Sequence, residues 1–204
     1  SIVLYEYQED RKAKHAEEFL DGFSGWLHAD GYQGYHKLPE RIRVVGCAAH
    51  ARRKFDEALT ALPKEQQQTS KAAEALCYFA KLFQLEQSFA ELKPEERYTK
   101  RLEQAKPVLD ALLAWANDLI SRTAPKSALG KALHYLKEQW PYLVRYLEDG
   151  RLELSNNRAE RSIKPFVMGR KGWLFSNTPA GAQASAVIYS LIETAKENVL
   201  DPYR

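Results

Sequence analysis

The sequence predicts an α/β protein in which the sheet-forming part of the chain is interrupted by a large all-helical insertion. Strand-like and helix-like stretches alternate over the first 55 residues, and long helical patterns rich in Ala and Leu then take over. Strands that alternate with helices are typical of α/β architectures. We therefore divide the chain into residues 1–55 as the first part of a core, residues 56–150 as the insertion and residues 151–204 as the last part of the core.

Three stretches of the first 55 residues carry strand signals. IVLYEYQ, at residues 2–8, is rich in β-branched and aromatic residues, which favours a strand. GWLHADGY, at residues 25–32, is a short apolar run that breaks at Asp30 and Gly31, so we expect a strand that ends on an acid. IRVVGCAAH, at residues 42–50, is predicted to be a strand that leads into a helix.

Helical spacing separates and follows these strands. Apolar residues recur three and four positions apart in residues 11–23, and a second helix is predicted to begin at residues 51–59. Residues 56–150 are predicted to form three or four longer helices. Pro107 and Pro141 fall inside these patterns, where a proline produces a kink or occupies a first turn.

The end of the chain is predicted to hold two helices joined by a loop. Ser155 or Asn156 can cap the first helix. Pro165 disfavours helix at the residue before it, so we expect this helix to end near Lys164. The second helix covers residues 182–200, with one apolar stripe that we expect to be buried. The members of the stripe are Ala184, Val187, Ile188, Leu191, Ile192 and Ala195.

Composition gives only broad bounds on the function. The formal net charge is +3, so the overall charge balance does not indicate a nucleic-acid partner, and local clusters matter more. The two cysteines, Cys47 and Cys77, form no CxxC pair, which favours a reducing, cytoplasmic setting. No apolar run approaches the roughly 20 residues that cross a bilayer, so we expect no membrane partner.

Basic residues cluster in two stretches. Residues 41–54 contain no acid, and residues 151–175 contain six cations against Glu153 and Glu160. Cations at the start of a helix oppose its dipole, so an anionic partner such as a phosphate backbone explains their position. The alternative is a solvated helix face. The candidate DNA contacts are His50, Arg52, Arg53, Lys54, Asn157, Arg158, Arg161, Lys164, Arg170, Lys171 and Trp173, whose ring can stack on a base.

Two acids are candidates for a catalytic role. Asp30 lies where a predicted strand gives way to Gly31, which is a good position for reaching a metal ion. The alternative is an ordinary turn-forming Asp-Gly pair, which local sequence alone favours. Glu160 stands among cations and shares a helix face with Lys164. The alternative there is an ion pair worth about 0.3–0.5 kcal/mol.

Three blocks of the sequence look like the hallmark blocks of a known family. They are DGYQGYHKL, GCAAHARRKFDEA and LSNNRAERSIKPFVMGRKGWLFSNTPAGAQASAVIYSLIETAKENVLDPY. They resemble the catalytic domain of DDE transposases of bacterial insertion sequences, and within these the insertion sequence sixty-six family. The resemblance implies an RNase H-like fold, a five-stranded mixed sheet with flanking helices that is interrupted by a helical insertion before the last acid.

The resemblance also implies a site and a reaction. The second Asp of the family's Asp, Asp, Glu set matches Asp30 and the Glu matches Glu160, and these two residues would bind Mg²⁺ (or Mn²⁺) for DNA cleavage and strand transfer. No residue matches the first Asp, which we expect upstream of Ser1, so we expect this fragment to be inactive alone. The implied partners are DNA, as transposon ends and target, and further copies of the full-length protein.

Two alternatives remain open from the sequence. One is a nuclease of the RNase H-like fold that cleaves DNA without strand transfer. The other is a non-catalytic module for DNA binding or oligomerisation, in which the two acids have no catalytic role.

Overall fold

The computed structural model describes residues 1–173 and 176–202, apart from the side chains of Arg170, Lys171 and Trp173. In this part of the chain, nine α-helices and two β-strands follow one another, with short 3-10 turns and one π-helical turn between some of them. They are α1 (Ala13–Phe19), β1 (Gly25–His28), β2 (Ile42–Val45), α2 (Ala48–Thr60), α3 (Lys64–Gln67), α4 (Lys71–Ser88), α5 (Pro94–Lys100), α6 (Lys106–Ile120), α7 (Ala128–Leu143), α8 (Asn157–Trp173) and α9 (Pro179–Glu197).

The predicted RNase H-like mixed sheet is wrong. Within the described ranges the sheet consists of two parallel strands, β1 and β2, with Gly25 opposite Ile42, and most of the chain is helical. The strands predicted at residues 25–32 and 42–50 are present, although each is only four residues long. The helical character predicted for residues 56–150 is also present, but these helices do not interrupt a mixed sheet.

The strand predicted at residues 2–8 is not formed either. Backbone groups of this segment bond to side chains of α9: the Val3 N–H donates to Thr194 Oγ1 at 2.9 Å and the Tyr5 N–H donates to Ser190 Oγ at 2.8 Å. Backbone donors must find an acceptor, and in a sheet the acceptor is a neighbouring strand. Here a helix supplies it, so the β-prone sequence stays extended without joining a sheet.

The chain divides into two compact units. We call Gly22–Asn156 the central unit, and we call Ser1–Asp21 together with Asn157–Arg204 the terminal unit. The three-part division predicted from the sequence describes parts of a catalytic core, and it stays a prediction.

The central unit has its core between α2, α4 and α7. Helix α2 packs against both of the others, and the Phe55 and Phe79 rings lie 5.9 Å apart between α2 and α4. Serine caps begin two of the helices, because Ser70 Oγ accepts the Ala73 N–H at 3.1 Å and Ser127 caps α7 in the same way. The buried face of α2 repeats every three or four residues through Ala48, Ala51, Phe55 and Ala58.

The two prolines that fall inside helical patterns are accommodated differently. Pro107 lies in the first turn of α6, directly after the π-helical turn at Arg101–Ala105, and Pro141 lies inside α7 near its end. By contrast, the predicted end of α8 near Lys164 is wrong, because the helix continues through Pro165 to Trp173. Packing beyond the proline offsets the local preference: the Phe166 ring lies 5.3 Å from that of Tyr189, edge to face.

The predicted buried stripe of α9 is wrong at its centre. Val187, Ile188 and Leu191 are 50%, 54% and 68% exposed, whereas Ala186 and Glu193 are buried. The buried face of α9 is therefore rotated around the helix away from the predicted apolar stripe. That inward face holds Ser190 and Thr194, the residues that bind the first segment of the chain.

Candidate active site and nucleic-acid interface

Asp30 lies at the carboxyl end of β1. The strands are parallel, so their carboxyl ends meet at one edge of the sheet, where ligands bind in open α/β folds. The Ala29 N–H donates to Val45 O at 3.0 Å, which extends the pairing to the residue before the acid. Asp30 is half-buried, and its Oδ1 accepts the Tyr32 N–H at 3.0 Å. The carboxylate therefore shapes a turn and still has lone pairs for other contacts.

Asp30 lies within electrostatic range of two ring side chains, His36 and Tyr135. Burial, and then the Arg145 charge, lower the pKa of His36, while the Asp30 charge acts in the opposite direction. Burial raises the pKa of Tyr135 to about 12, and the Cys47 and Asp30 charges add to this effect. Asp30 is thus electrostatically coupled to both rings. Neither residue was predicted: His36 lies in the DGYQGYHKL block but has no signal of its own there, and Tyr135 lies far along the sequence from Asp30.

The beginning of α2 lies at the same edge of the sheet. The chain passes from β2 through Gly46 and Cys47 into the helix, and the Gly46 N–H donates to Tyr142 O at 3.0 Å. A Cβ at Gly46 would lie 3.1 Å from the Leu143 nitrogen, so a glycine permits this close approach to α7. The first turn of α2 is fixed further by the Ala48 N–H, which donates to Leu154 O at 3.0 Å.

The basic residues of α2 follow directly. Arg52 and Arg53 are exposed, whereas His50 and Lys54 are half-buried. The Arg53 charge lowers the pKa of Tyr135, which places this guanidinium within electrostatic range of the same hydroxyl that Asp30 affects. Asp30 and the predicted basic stretch of α2 therefore belong to the same unit, and the charges of Asp30 and Arg53 both act on the Tyr135 hydroxyl.

A cleft beside α2 adds cations that the sequence patterns did not indicate. It has a volume of about 490 Å³, and Lys54 of α2, Lys131 and His134 of α7 and Tyr135 contribute to its lining. Lys54 Nζ also pairs with Glu57 Oε2 at 3.1 Å. Lys131 and His134 escaped notice because they lie far along the sequence from the basic stretch, and only the packing of α7 against α2 brings them near it.

Glu160 belongs to the terminal unit. It lies in the first turn of α8, where a carboxylate is favourable against the helix dipole, and it is half-buried. Arg161 and Lys164 on the same helix are exposed, and Asn157 begins it. The Arg158 guanidinium binds within the unit: its Nη2 lies 2.8 Å from Glu197 Oε1. The side chains of the remaining candidates, Arg170, Lys171 and Trp173, lie outside the described part of the structure.

The candidate acids have the donor chemistry of a hard-cation site. Carboxylate oxygens suit Mg²⁺ and Mn²⁺. Among residues 1–173 and 176–202, no group of three or more His, Cys, Asp and Glu side chains is arranged to hold a metal ion. Asp30 lies in the central unit and Glu160 in the terminal unit. Their carboxylate oxygens are the kind of ligand that these ions prefer. Neither unit, within the described residues, supplies a group of three such ligands.

None of the helices in the described ranges is both long and apolar enough to cross a membrane.

Comparison with known proteins identifies the class. Residues 1–184 match the family model described as Transposase IS66 family. The chain belongs to this family, and the resemblance inferred from the three sequence blocks is confirmed.

Among its relatives are uncharacterized proteins of Sinorhizobium fredii (strain NBRC 101917 / NGR234). The protein y4jD is 35% identical over 211 residues, an alignment that covers 98% of this chain and 40% of the relative. The protein y4hP is 30% identical over 214 residues, with 98% and 39% covered. This chain therefore spans about two fifths of the length of these relatives. No solved structure matches it.

Proposed function

We propose that this chain is part of the catalytic region of a DDE transposase that cleaves DNA and joins the resulting end to a target strand in a metal-dependent reaction. The observation that carries the proposal is the position of Asp30. It lies at the carboxyl edge of the parallel strands, beside the basic turns of α2, in a chain of a transposase family.

The two acids are the proposed metal ligands. Asp30 and Glu160 would hold Mg²⁺ (or Mn²⁺), which when bound activates an attacking oxygen and stabilises a leaving one. The chain's own contribution at Asp30 is orientation, since the Tyr32 N–H fixes one carboxylate oxygen. Glu160 extends from a helix that also carries Arg161, so a phosphate near this acid would meet a cation.

The basic side chains are the proposed DNA contacts. Arg52 and Arg53 of α2 are exposed, and so are Arg161 and Lys164 of α8. Exposed cations of this kind position a phosphate backbone without reading its sequence. Arg158 is a weaker candidate, because its ion pair with Glu197 would have to break or be shared. Assembly of the full-length protein into a homo-oligomer stays a prediction.

The test is a strand-transfer assay with the longest reading frame that encodes this chain. Oligonucleotides with a free 3′-hydroxyl and Mg²⁺ are the substrates, and Asp30→Asn and Glu160→Gln are compared with Asp56→Asn, an exposed acid on α2. We expect the first two changes to reduce joined product at least about 100-fold, since even residues behind metal ligands cost 10–100-fold. The Asp56 variant should keep its activity.

The outcomes separate the alternatives. Cleavage without joining indicates a nuclease. Unchanged metal binding and DNA binding in both acid variants, with no catalysis by the parent protein, indicates a non-catalytic module. Robust cleavage by the 204-residue chain alone would contradict the expectation that this chain is inactive by itself.

A further inference from the structure

Tyr135 of α7 occupies the space next to Gly31. A Cβ built on Gly31 would lie 3.0 Å from the ring carbons Cε2 and Cζ of Tyr135, and closer still to its hydroxyl. Real Cβ atoms do not approach other heavy atoms so closely, so any larger residue at position 31 would collide with the tyrosine. The Gly31 backbone also lies close enough to the phenolic oxygen to lower the pKa of Tyr135. Helix α7 thus contacts the residue that immediately follows the candidate catalytic acid.

The Asp30–Gly31 turn is held from two sides. From within, Asp30 Oδ1 accepts the Tyr32 N–H at 3.0 Å. On the other side, the Tyr135 ring and hydroxyl contact Gly31, the residue between Asp30 and Tyr32. A shift of Gly31 would rotate the backbone on which the carboxylate stands, so both restraints act on the direction of that carboxylate.

Helix α7 and the turn after it support the same edge of the sheet at further points. The Gly46 N–H donates to Tyr142 O at 3.0 Å, just after β2. Arg145 Nη1 donates to Val44 O at 2.8 Å. The Tyr142 ring stacks on His36 with centroids 3.9 Å apart and planes 9° from parallel. The contact at Gly31 therefore belongs to a continuous support of the strand ends.

We propose that Tyr135 is a positioning residue that fixes the Asp30–Gly31 turn and, through it, the direction of the Asp30 carboxylate. Its catalytic consequence rests on the function proposed above, whereas its effect on the turn does not. The proposal also gives α7, part of the predicted insertion, a role at the site.

Amide hydrogen exchange of the 204-residue chain tests the effect on the turn. Tyr135→Phe keeps the ring and removes the hydroxyl that lies against Gly31, so we expect the Gly31 and Tyr32 amides to exchange about five- to tenfold faster, as loss of one polar contact implies. Tyr98→Phe, at an exposed tyrosine of α5, is the matched control and should leave both amides unchanged. Unchanged exchange at Gly31 and Tyr32 in the Tyr135 variant would overturn the proposal.

A double-mutant cycle gives a second measurement. Gly31→Ala should lower the Tm of the parent chain, because the new Cβ meets Tyr135. In a Tyr135→Leu background the same change should lower the Tm by less than half as much, because the colliding atoms are gone. Equal losses in the two backgrounds would show that Tyr135 does not restrain residue 31.

Catalysis supplies the third measurement and separates the two proposals. In the strand-transfer assay, Tyr135→Phe should lower kcat about tenfold with KM for DNA unchanged, since misplacing a group slows the chemical step more than binding. If Asp30→Asn abolishes joining and Tyr135→Phe has parental kcat, the positioning role is wrong. If Asp30→Asn retains full activity, the proposed function is wrong, and the exchange experiment still decides whether Tyr135 holds the turn.

Discussion

At the scale of single residues, Arg101 shows how a buried charge organises the chain around it. The side chain has no solvent exposure and pairs with Glu86 through two hydrogen bonds, of 2.9 and 2.6 Å. Its remaining donors bind the carbonyl oxygens of Tyr146 at 2.9 Å, Asp149 at 3.0 Å and Leu152 at 2.7 Å. A buried cation needs such complete pairing, and here one side chain fixes the segment that follows α7.

Replacing Arg101 by Met should therefore destabilise the protein strongly. We expect a loss of about 3–5 kcal/mol in the free energy of unfolding, because Glu86 and three carbonyl groups lose their donor together. Lys100→Met is the control: its exposed ion pair with Glu103 is worth at most about 1 kcal/mol. Urea unfolding measures both values, and similar losses in the two variants would contradict the account.

A second residue-scale prediction concerns pH. Burial lowers the pKa of His28 below its usual 6.5, with the Arg101 charge acting in the same direction and the Glu153 charge against it. The folded state therefore binds fewer protons than the unfolded state. The stability that the neutral His28 imidazole contributes is present above pH 6.5 and is lost as the pH falls below it. His28→Gln should reduce the fall in Tm between pH 7.5 and about 5.5.

The control for this prediction is His134→Gln, which removes an exposed histidine of α7. If both variants keep the parental dependence of Tm on pH, the buried His28 imidazole is not the cause.

At the scale of elements, the first segment of the chain and α9 fit each other by repeat distance. Alternate residues of an extended chain are about 6.6–6.8 Å apart and turn their backbone groups to the same side. Helix side chains four positions apart rise by about 6 Å. The two repeats match closely enough for three successive hydrogen-bonded pairs between the first segment and the α9 region. These pairs are Ser1 with Asn198, Val3 with Thr194 and Tyr5 with Ser190.

Removing the middle pair, Val3 with Thr194, should weaken the binding of the first segment to α9. Thr194 Oγ1 both accepts the Val3 N–H and donates to Val3 O, so Thr194→Val removes two hydrogen bonds at nearly constant volume. We expect a local loss of about 1–3 kcal/mol and faster amide exchange at Val3 and Tyr5. Thr99→Val, at an exposed threonine of α5, is the control. Equal protection of the Val3 amide from exchange in both variants would contradict the role of these hydrogen bonds.

Sequence patterns located many elements correctly where local signals and packing agree. Strands β1 and β2 are both short runs bounded by turn residues, and the helices from α4 to α7 follow strong periodicity. The predictions failed at Pro165 and at residues 2–8, where tertiary contacts override local preference. The composition of IVLYEYQ predicts an extended backbone, but it does not contain the information that a helix instead of a strand satisfies that backbone.

At the scale of the whole molecule, the main hydrophobic core belongs to one unit. Its buried cluster runs from Val45 to Leu154, entirely within Gly22–Asn156. This unit is one continuous stretch of chain. The candidate site could be predicted in part for the same reason, since Asp30 and the basic residues of α2 lie near each other in sequence. Tyr135 could not be predicted, because only the packing of α7 within this unit brings it to Gly31.

Residues 22–156 expressed alone should therefore fold. We expect a helical far-UV circular dichroism spectrum and a single cooperative unfolding transition, because the fragment retains its complete core cluster. A matched fragment that ends before α7, residues 22–126, should not fold, since it lacks Leu133 and Leu136 of that core. A broad, non-cooperative transition of residues 22–156 would mean that this unit depends on the rest of the chain.

The terminal unit, by contrast, is assembled from the first and the last parts of the chain, and this has a consequence during protein synthesis. The ribosome makes Ser1–Asp21 before the central unit, whereas the side chains of α9 that bind this segment are made after that unit. At about 5–20 residues per second, the delay is on the order of ten to forty seconds. Throughout that time the β-prone IVLYEYQ stretch lacks the helix that binds it, although the central unit can already fold. A premature stop before α9 would make the wait permanent and leave that stretch exposed to aggregation with other nascent chains.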